Sequence, residues 1–575
     1  MHTFLHIRWI GLVFSAMALY VATVPAVAQA HHSLFINELM ADPTPSVGLP
    51  SYEWIEIRNG SRQPIQLQNW RVGTSSSLSS PLPFYWLGPD SLLILCTTSA
   101  LPSLAAIGKA LAITNFPALD NDGTVIWLRD PSGRSAHAVS YDKSYYGSSL
   151  KSEGGWSLEM IDWRWPCSGI SNWKASTHAR GGSPGATNSV QDLQTDLILP
   201  RIIHSYALAP DLIRIIFSAP IDSNWFVRPS LFVVSNGADI ISVKTLDLSH
   251  TVLECKLNRP LLTDSIYAIS LSGIKSCHAA AVSRAVTFKT GVASPCGPRD
   301  VVINEILFDP RSGGSDFVEL YNNSKRIIDL SALYIANRQS GGSLGSFVRL
   351  SHEPRLLFPG DYFAFSSEPH LVMQQYLVSS PGNFLRTSGF PSLPDDEGQL
   401  VLIDQQGDVV DELHYQDDWH FPLLQDKEGV SLERIDPKGA SQLPANWHSA
   451  AKTAGFATPA KKNSQQSPTD QSGTRFLISP QLFSPNLDGH DDYCVISYEV
   501  EQPGTMAAVQ ILDRAGRLVR VLAARSLLGR KGQWNWNGRD EQGNLLPAGN
   551  YLVIMTHYTL QGTVKYYRSG IALSR

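Results

Sequence analysis

Apolar and polar residues alternate in short runs along most of this chain, and Gly, Pro, Asn and Asp bound the runs. A period of two is the mark of a half-buried β-strand. The first such run is Phe35-Ile36-Asn37-Glu38-Leu39-Met40, with Ile36, Glu38 and Met40 on one face and Asn37 and Leu39 on the other. Glu53-Trp54-Ile55-Glu56-Ile57 alternates as well, with its core face left open by the pattern, and Asn59-Gly60 ends it. Further strands are predicted over 92–96, 124–129 and 155–161, and Asp120-Asn121-Asp122-Gly123 is a strong turn signal. Helical periodicity is nearly absent. Short strands at this spacing predict β-sandwiches in preference to a parallel sheet.

The opening pattern returns later in the chain. Phe35-Ile36-Asn37-Glu38-Leu39-Met40-Ala41-Asp42-Pro43, then Trp54-Ile55-Glu56-Ile57-Arg58-Asn59, is echoed by Val302-Ile303-Asn304-Glu305-Ile306-Leu307-Phe308-Asp309-Pro310, then Phe317-Val318-Glu319-Leu320-Tyr321-Asn322. The endings repeat too. Trp156-Ser157-Leu158-Glu159-Met160-Ile161-Asp162 matches Val430-Ser431-Leu432-Glu433-Arg434-Ile435-Asp436, and Ser171-Asn172-Trp173 matches Ala445-Asn446-Trp447. Ser183-Pro184-Gly185-Ala186-Thr187-Asn188 matches Thr458-Pro459-Ala460-Lys461-Lys462-Asn463. Matches in constant order over a whole module imply a duplication, and two copies separated by other material are not a solenoid.

These motifs together resemble the lamin tail domain in its bacterial secreted form: an Asn-Glu strand ending in Asp-Pro, a Glu-x-x-Asn strand, a Ser-Leu-Glu strand, Asn-Trp, and a closing Pro/Gly-rich segment. The resemblance covers residues 31–192 and 299–463 and implies an immunoglobulin-like β-sandwich in each, so the expected fold class is all-β, with such sandwiches in tandem. In bacteria the family is an accessory module on exported proteins. The chain has no heptad rod, so the filament role of animal lamins does not transfer. Between the modules, residues 196–292 read as a third β domain, with the strand Arg214-Ile215-Ile216-Phe217 running into Pro220. Its Phe-Ser-Ala-Pro-Ile-Asp turn resembles those of bacterial Ig-like domains. Residues 464–475, rich in Ser, Gln and Thr, read as a linker. The last domain, 476–575, carries Phe483-Ser484-Pro485-Asn486-Leu487-Asp488-Gly489-His490-Asp491-Asp492, Trp534-Asn535-Trp536-Asn537-Gly538 and Pro547-Ala548-Gly549. It resembles the Ig-like domain of the flagellar hook-capping family. Similar domains end many proteins sorted by the type IX secretion system, which implies a part in export or attachment.

Composition narrows the address. The chain has 575 residues, too many for one core, and a formal net charge of −5 that provides no global attraction for nucleic acid. Residues 1–30 read as a secretory signal peptide: Arg8, an uncharged apolar stretch over 9–24, and Ala28-Gln29-Ala30 as the cleavage site. No later stretch is long and apolar enough to span a bilayer. Six cysteines in an exported chain invite disulfides. Pairs Cys96–Cys167 and Cys277–Cys296 are expected, with Cys255 and Cys494 free and buried. Clustered Cys/His spacing for zinc is missing.

Candidate chemistry is sparse. Asn486, Asp488, Asp491 and Asp492 surround Gly489 and are candidate calcium ligands, although the spacing departs from the EF-hand and an Asx-rich turn is the plain alternative. Asp120, Asn121 and Asp122 are a weaker version. Glu38, Glu56 and Glu159, with Glu305, Glu319 and Glu433, could be paired carboxylates for acid–base work. Their recurrence in both modules is explained by a role in the fold. Gly341-Gly342-Ser343-Leu344-Gly345 spells a nucleophile elbow but lies in a Gly/Ser loop. Among the tryptophans, most are expected in cores, with Trp163 and Trp165 as candidate ligand contacts. Arg514, Arg517, Arg520, Arg525, Arg530 and Lys531 could attract polyanions, against a default of a solvated face. His31-His32 could bind stray metal. The reading is an exported, non-enzymatic surface or extracellular protein, adhesive or scaffolding, needing no cofactor. Its expected partners are export machinery or surface components, a glycan or another surface polymer. DNA binding or a hydrolase with a scattered site are the alternatives.

Overall fold

The computed structural model describes residues 33–193, 200–221, 228–246, 250–275, 284–339, 341–466 and 473–574. The chain is all-β, with immunoglobulin-like sandwiches in tandem, and divides into two compact units, residues 1–197 and 198–575. Residues 1–30, His31-His32 and Cys277 lie outside the described residues. Among the described residues no helix is long and apolar enough to cross a membrane.

In the first unit, strands β1 (Leu34–Met40), β2 (Trp54–Asn59) and β3 (Leu158–Met160) lie side by side in a six-stranded sheet, in the order β3-β1-β2. Ile36, Leu39, Ile55, Ile57 and Leu95 meet Trp70, Ile126, Leu128 and Val139 of the facing side in one core. Alternation predicted one wet face, yet β1 and β2 are buried along their whole length. The second face is covered too. Met40, Trp54, Ile94 and Cys96 pack there on Leu104 of the short helix Leu101–Ala105. Burying one large apolar side chain is worth about 1.5–3 kcal/mol, so this second layer adds substantially to the sandwich proper.

The face expected to be shared by Ile36, Glu38 and Met40 is corrected by a β-bulge. The β1–β2 register runs Ile36↔Ile57 and then Glu38↔Glu56, leaving Asn37 as the extra residue. Ile36 therefore stays in the sandwich core while Glu38 turns to the other face beside Met40. The bulge also frees the Ile36 amide, which donates to Nδ1 of His137 at 3.2 Å.

The second unit begins with a β domain whose four-stranded and three-stranded sheets enclose Ile213, Ile215, Phe232, Leu253, Ile269 and Leu271. The second module follows, with β4 (Val301–Leu307), β5 (Phe317–Asn322) and β6 (Leu432–Arg434) in the order β5-β4-β6 of another six-stranded sheet. The bulge recurs at Asn304, but its amide is satisfied differently. Ile303 N donates to Oδ2 of Asp411 at 2.8 Å, and Arg434 pairs with the same oxygen at 3.0 Å while its Nε donates to Ile303 O at 2.6 Å. The Arg434 and Asp411 side chains are 0% and 4% exposed. The matching position to Arg434 in the first module, opposite the sheet's tryptophan, is Met160.

The last domain places β7 (Met506–Leu512), β8 (Leu518–Leu527) and β9 (Gly549–Tyr558) in a five-stranded sheet, with β8 at its edge. That sheet faces a three-stranded one across a core containing Ile496, Val509, Trp536 and Val553. Residues 464–466, read from the sequence as the start of a linker, are packed instead: Gln465 is fully buried. Its Nε2 donates to Leu528 O of the last domain at 3.1 Å, and Arg530 N donates to Ser464 O at 2.7 Å.

Both expected disulfides fail. Cys96 and Cys296 are free thiols, as are the buried Cys255 and Cys494. Cys167 is disulfide-bonded, though not to Cys96. Cys96 is drawn into the apolar layer over β2, where it faces Trp54 across the sheet.

The buried Arg434–Asp411 pair yields a stability prediction. Asp411→Ala leaves an uncompensated guanidinium and should cost about 3–5 kcal/mol, read as a drop in the melting transition of the second unit. The double change Asp411→His with Arg434→Met copies the first module's solution and should recover most of that loss. Equal loss from both variants would refute the account.

Candidate functional site

The recurring acids come together. Glu38 sits directly opposite Glu56 on one side and Glu159 on the other, and Glu305 sits likewise between Glu319 and Glu433. Three carboxyls thus stand abreast on adjacent strands, on the face turned away from the sandwich core. All six side chains are 0% exposed.

What seals them is the closing segment of each module. In the first, Ser183 N and Ser157 Oγ donate to Glu38 Oε1 at 2.8 and 2.6 Å. Ser183 Oγ reaches Glu159 at 2.9 Å, and Gly185 N donates to Glu56 at 2.6 Å. Ser189 Oγ and Val190 N both donate to Glu159 Oε2, at 2.9 and 3.0 Å. Bulged Asn37 completes the set: its Nδ2 donates to Glu56 and to Asn188 Oδ1, and Asn188 Nδ2 returns a bond to Asn37 O. The bulge thus aims an amide at the carboxyls and opens a backbone carbonyl to the closing segment.

The second module repeats this almost atom for atom. Ser431 Oγ and Thr458 N donate to Glu305 Oε1 at 2.5 and 2.7 Å, and Thr458 Oγ1 reaches Glu433 at 2.7 Å. Ser464 Oγ and Gln465 N donate to Glu433 Oε2, each at 2.8 Å. Asn304 bonds Glu319 and Asn463. An intramolecular hydrogen bond contributes about 0.5–1.5 kcal/mol net, and a buried polar group left without one costs more, so these donors latch the closing segment to the sheet.

Among the described residues no Lys, Arg or His forms an ion pair with any of the six acids, and no group of three or more His, Cys, Asp or Glu is placed to hold a metal ion. Burial, and then the neighbouring carboxylates, hold Glu38 and Glu319 well above the usual carboxylate range. Burial pushes Glu56 up to about 7; burial, then the charge of Glu433, pushes Glu305 up to about 8. Crowding in a dry site disfavours the charged form of these carboxyls. The cluster is sealed from solvent, and its hydrogen bonds fasten the closing segment to the sheet.

The other sequence candidates do not converge. Asp492 accepts Leu487 N and Gly489 N, and Asp488 accepts His490 N and Asn486 Nδ2, so these carboxylates turn inward on their own loop. Asp120 and Asp122 are likewise engaged, by the Asp122 amide and by Lys143. Gly341 to Gly345 form a turn bridged through Leu344 to Arg338, with no strand-to-helix elbow. Trp163 packs on the first module's core beneath the Arg58 guanidinium, 4.3 Å from its ring centroid, and Trp165 is half-buried. The free aromatic pair of that module is Trp86 with Phe84, 54% and 63% exposed. The basic cluster is largely neutralised: Arg517 pairs with Asp513, Arg520 with Glu541 and Lys531 with Glu499, while Arg530 is buried.

The glutamates' raised values give a direction with pH. Each such group stabilises the fold fully below the unfolded value near 4.5, and that contribution is lost as pH rises through the folded value. Melting temperature should therefore fall between pH 5 and about 8. In Glu305→Gln the amide still accepts from Thr458 N and Ser431 Oγ but does not titrate, so the fall of the second unit's transition should flatten. An unchanged slope in the variant would sink this assignment.

Comparison with known proteins agrees with the duplication. A lamin tail domain family model matches residues 27–143 and 295–417, and a FlgD Ig-like domain model matches 484–561. No curated protein matches. Solved structures align only loosely. The bacterial S-layer protein SbsC aligns at 10% identity over 65% of this chain and 54% of its own, TM-score 0.16. A DUF4876 family protein from Bacteroides thetaiotaomicron aligns at 14% identity over 39% of this chain and 86% of its own, TM-score 0.17. The chain spans about half the length of the S-layer structures it aligns with, 44% and 54% for two of them. TM-scores this low mark no shared arrangement of domains. The family matches thus give the chain two lamin tail domain regions followed by one FlgD Ig-like domain, in the order that its repeated motifs predicted.

Proposed function

We propose that the chain is an exported, non-enzymatic protein of the bacterial cell surface or medium, in which stiff β-sandwiches display a binding face and the C-terminal domain acts in export or attachment. The observation that carries this reading is the sealing of all six recurrent glutamates beneath the closing segments. The residues that most resemble a reaction centre are spent on holding the modules shut. Export is supported by the signal-like residues 1–30. A scaffold reading is supported by the seating of the last domain: the Ser464-Gln465 pair that binds Glu433 also bonds Leu528 and Arg530 of that domain. Phe421, Met506 and Leu527 add a buried apolar contact at the same junction.

The likeness of the last domain to type IX sorting domains makes export the sharpest test. In a type IX-secreting host, deletion of residues 476–575 should leave the protein in the periplasm, with its first unit melting as in the full chain. Delivery of the truncated protein to the surface would refute the sorting role. For the non-enzyme reading, the purified protein should show no turnover of nuclease, glycosidase or protease substrates, with or without Ca²⁺.

A further inference from the structure

Where the second module meets the last domain, the outer face of the five-stranded sheet is only partly covered. Met506 and Leu527 pack on Phe421, with Leu424 and Tyr558 beside them. Next to this contact lies an open cleft of about 1000 Å³, walled by residues 423–426 of the module and by β7, β8 and β9. That is at the upper end of the size of a small-molecule site, about 300–1,000 Å³.

Several independent features converge on it. Its open apolar surface comes from Leu423, Leu424, Ala508 and Ala524. The edge strand β8 bulges there: the register passes from Ala507↔Ser526 to Val509↔Ala523, so Ala524 and Arg525 together oppose Ala508. Arg525 holds φ at +46°, a left-handed backbone that a non-glycine side chain rarely takes. Bulges and such strained residues recur where a side chain is re-aimed at a site. The Arg525 and Lys452 side chains line the cleft, are exposed, and make no ion pair among the described residues, whereas Asp426 is the one acid in the lining.

We propose that this cleft binds a small aliphatic carboxylate, its chain laid over Leu423, Leu424 and Ala508 and its charge held by Arg525 and Lys452. An apolar floor selects the aliphatic body, and two unpaired cations against one acid select the anion. The inference is independent of where the protein is exported.

Calorimetric titration of the full chain tests it with three probes: octanoate, which has both features; acetate, which has only the charge; and 1-octanol, which has only the body. Octanoate should saturate at one per chain and bind at least tenfold more tightly than either control. The double variant Lys452→Ala with Arg525→Gly, glycine being at ease at positive φ, should lower octanoate affinity at least tenfold and leave the protein's melting unchanged. Gln510→Trp, at an exposed position on the cleft wall, should block octanoate without touching either cation. Octanoate binding no better than octanol, or undiminished in the double variant, would overturn the proposal.

Discussion

A carboxyl group buried without a counter-charge must find hydrogen-bond donors or unfold what buries it. Both lamin tail domains bury three such groups abreast and bring the donors from the far end of the module. Ser183, Gly185, Ser189 and Val190 serve the first triad, and Thr458, Ser464 and Gln465 the second. The segment that closes the domain is therefore chosen by the strand that opens it. This makes the module a loop fastened at its ends, and it explains why β1 and β4 carry polar residues yet are buried on both faces.

The bulge at Asn37 and Asn304 makes the latch work. It turns the glutamate away from the apolar core, presents an amide to a neighbouring acid, and releases one backbone amide that has to be satisfied from the facing sheet. The two copies meet that last demand with different chemistry: a neutral His137 contact in one, a buried Asp411–Arg434 pair in the other. Duplication preserved the constraint and left its partner free to diverge.

In the second copy the latch does more than close its own module. Ser464 and Gln465 lie between the triad and the last domain and bond both, so the seat of that domain is fixed by the same donors that neutralise Glu433. The cleft beside this junction takes one wall from each domain.

Much of this was legible in the residues alone. Alternation and turn signals marked the strands, and the constant order of Asn-Glu, Ser-Leu-Glu and Asn-Trp motifs marked the duplication, because period and order are local properties of a chain. The acids were visible as recurrent residues whose recurrence argued for a fold role. Their meeting as a triad was hidden, since it depends on the register of three strands far apart in sequence. The bulge was equally hidden: one extra residue flips every later side chain, and no composition announces it. Cysteine spacing misled because pairing depends on which face of a sheet each thiol occupies, and Cys96 lies in the apolar layer over β2. The sequence by itself determined the strands, the repeat and the fold class, because these rest on neighbouring residues. Tertiary structure alone decided which polar groups meet, because a buried charge is satisfied by whatever the folded chain brings within hydrogen-bond reach.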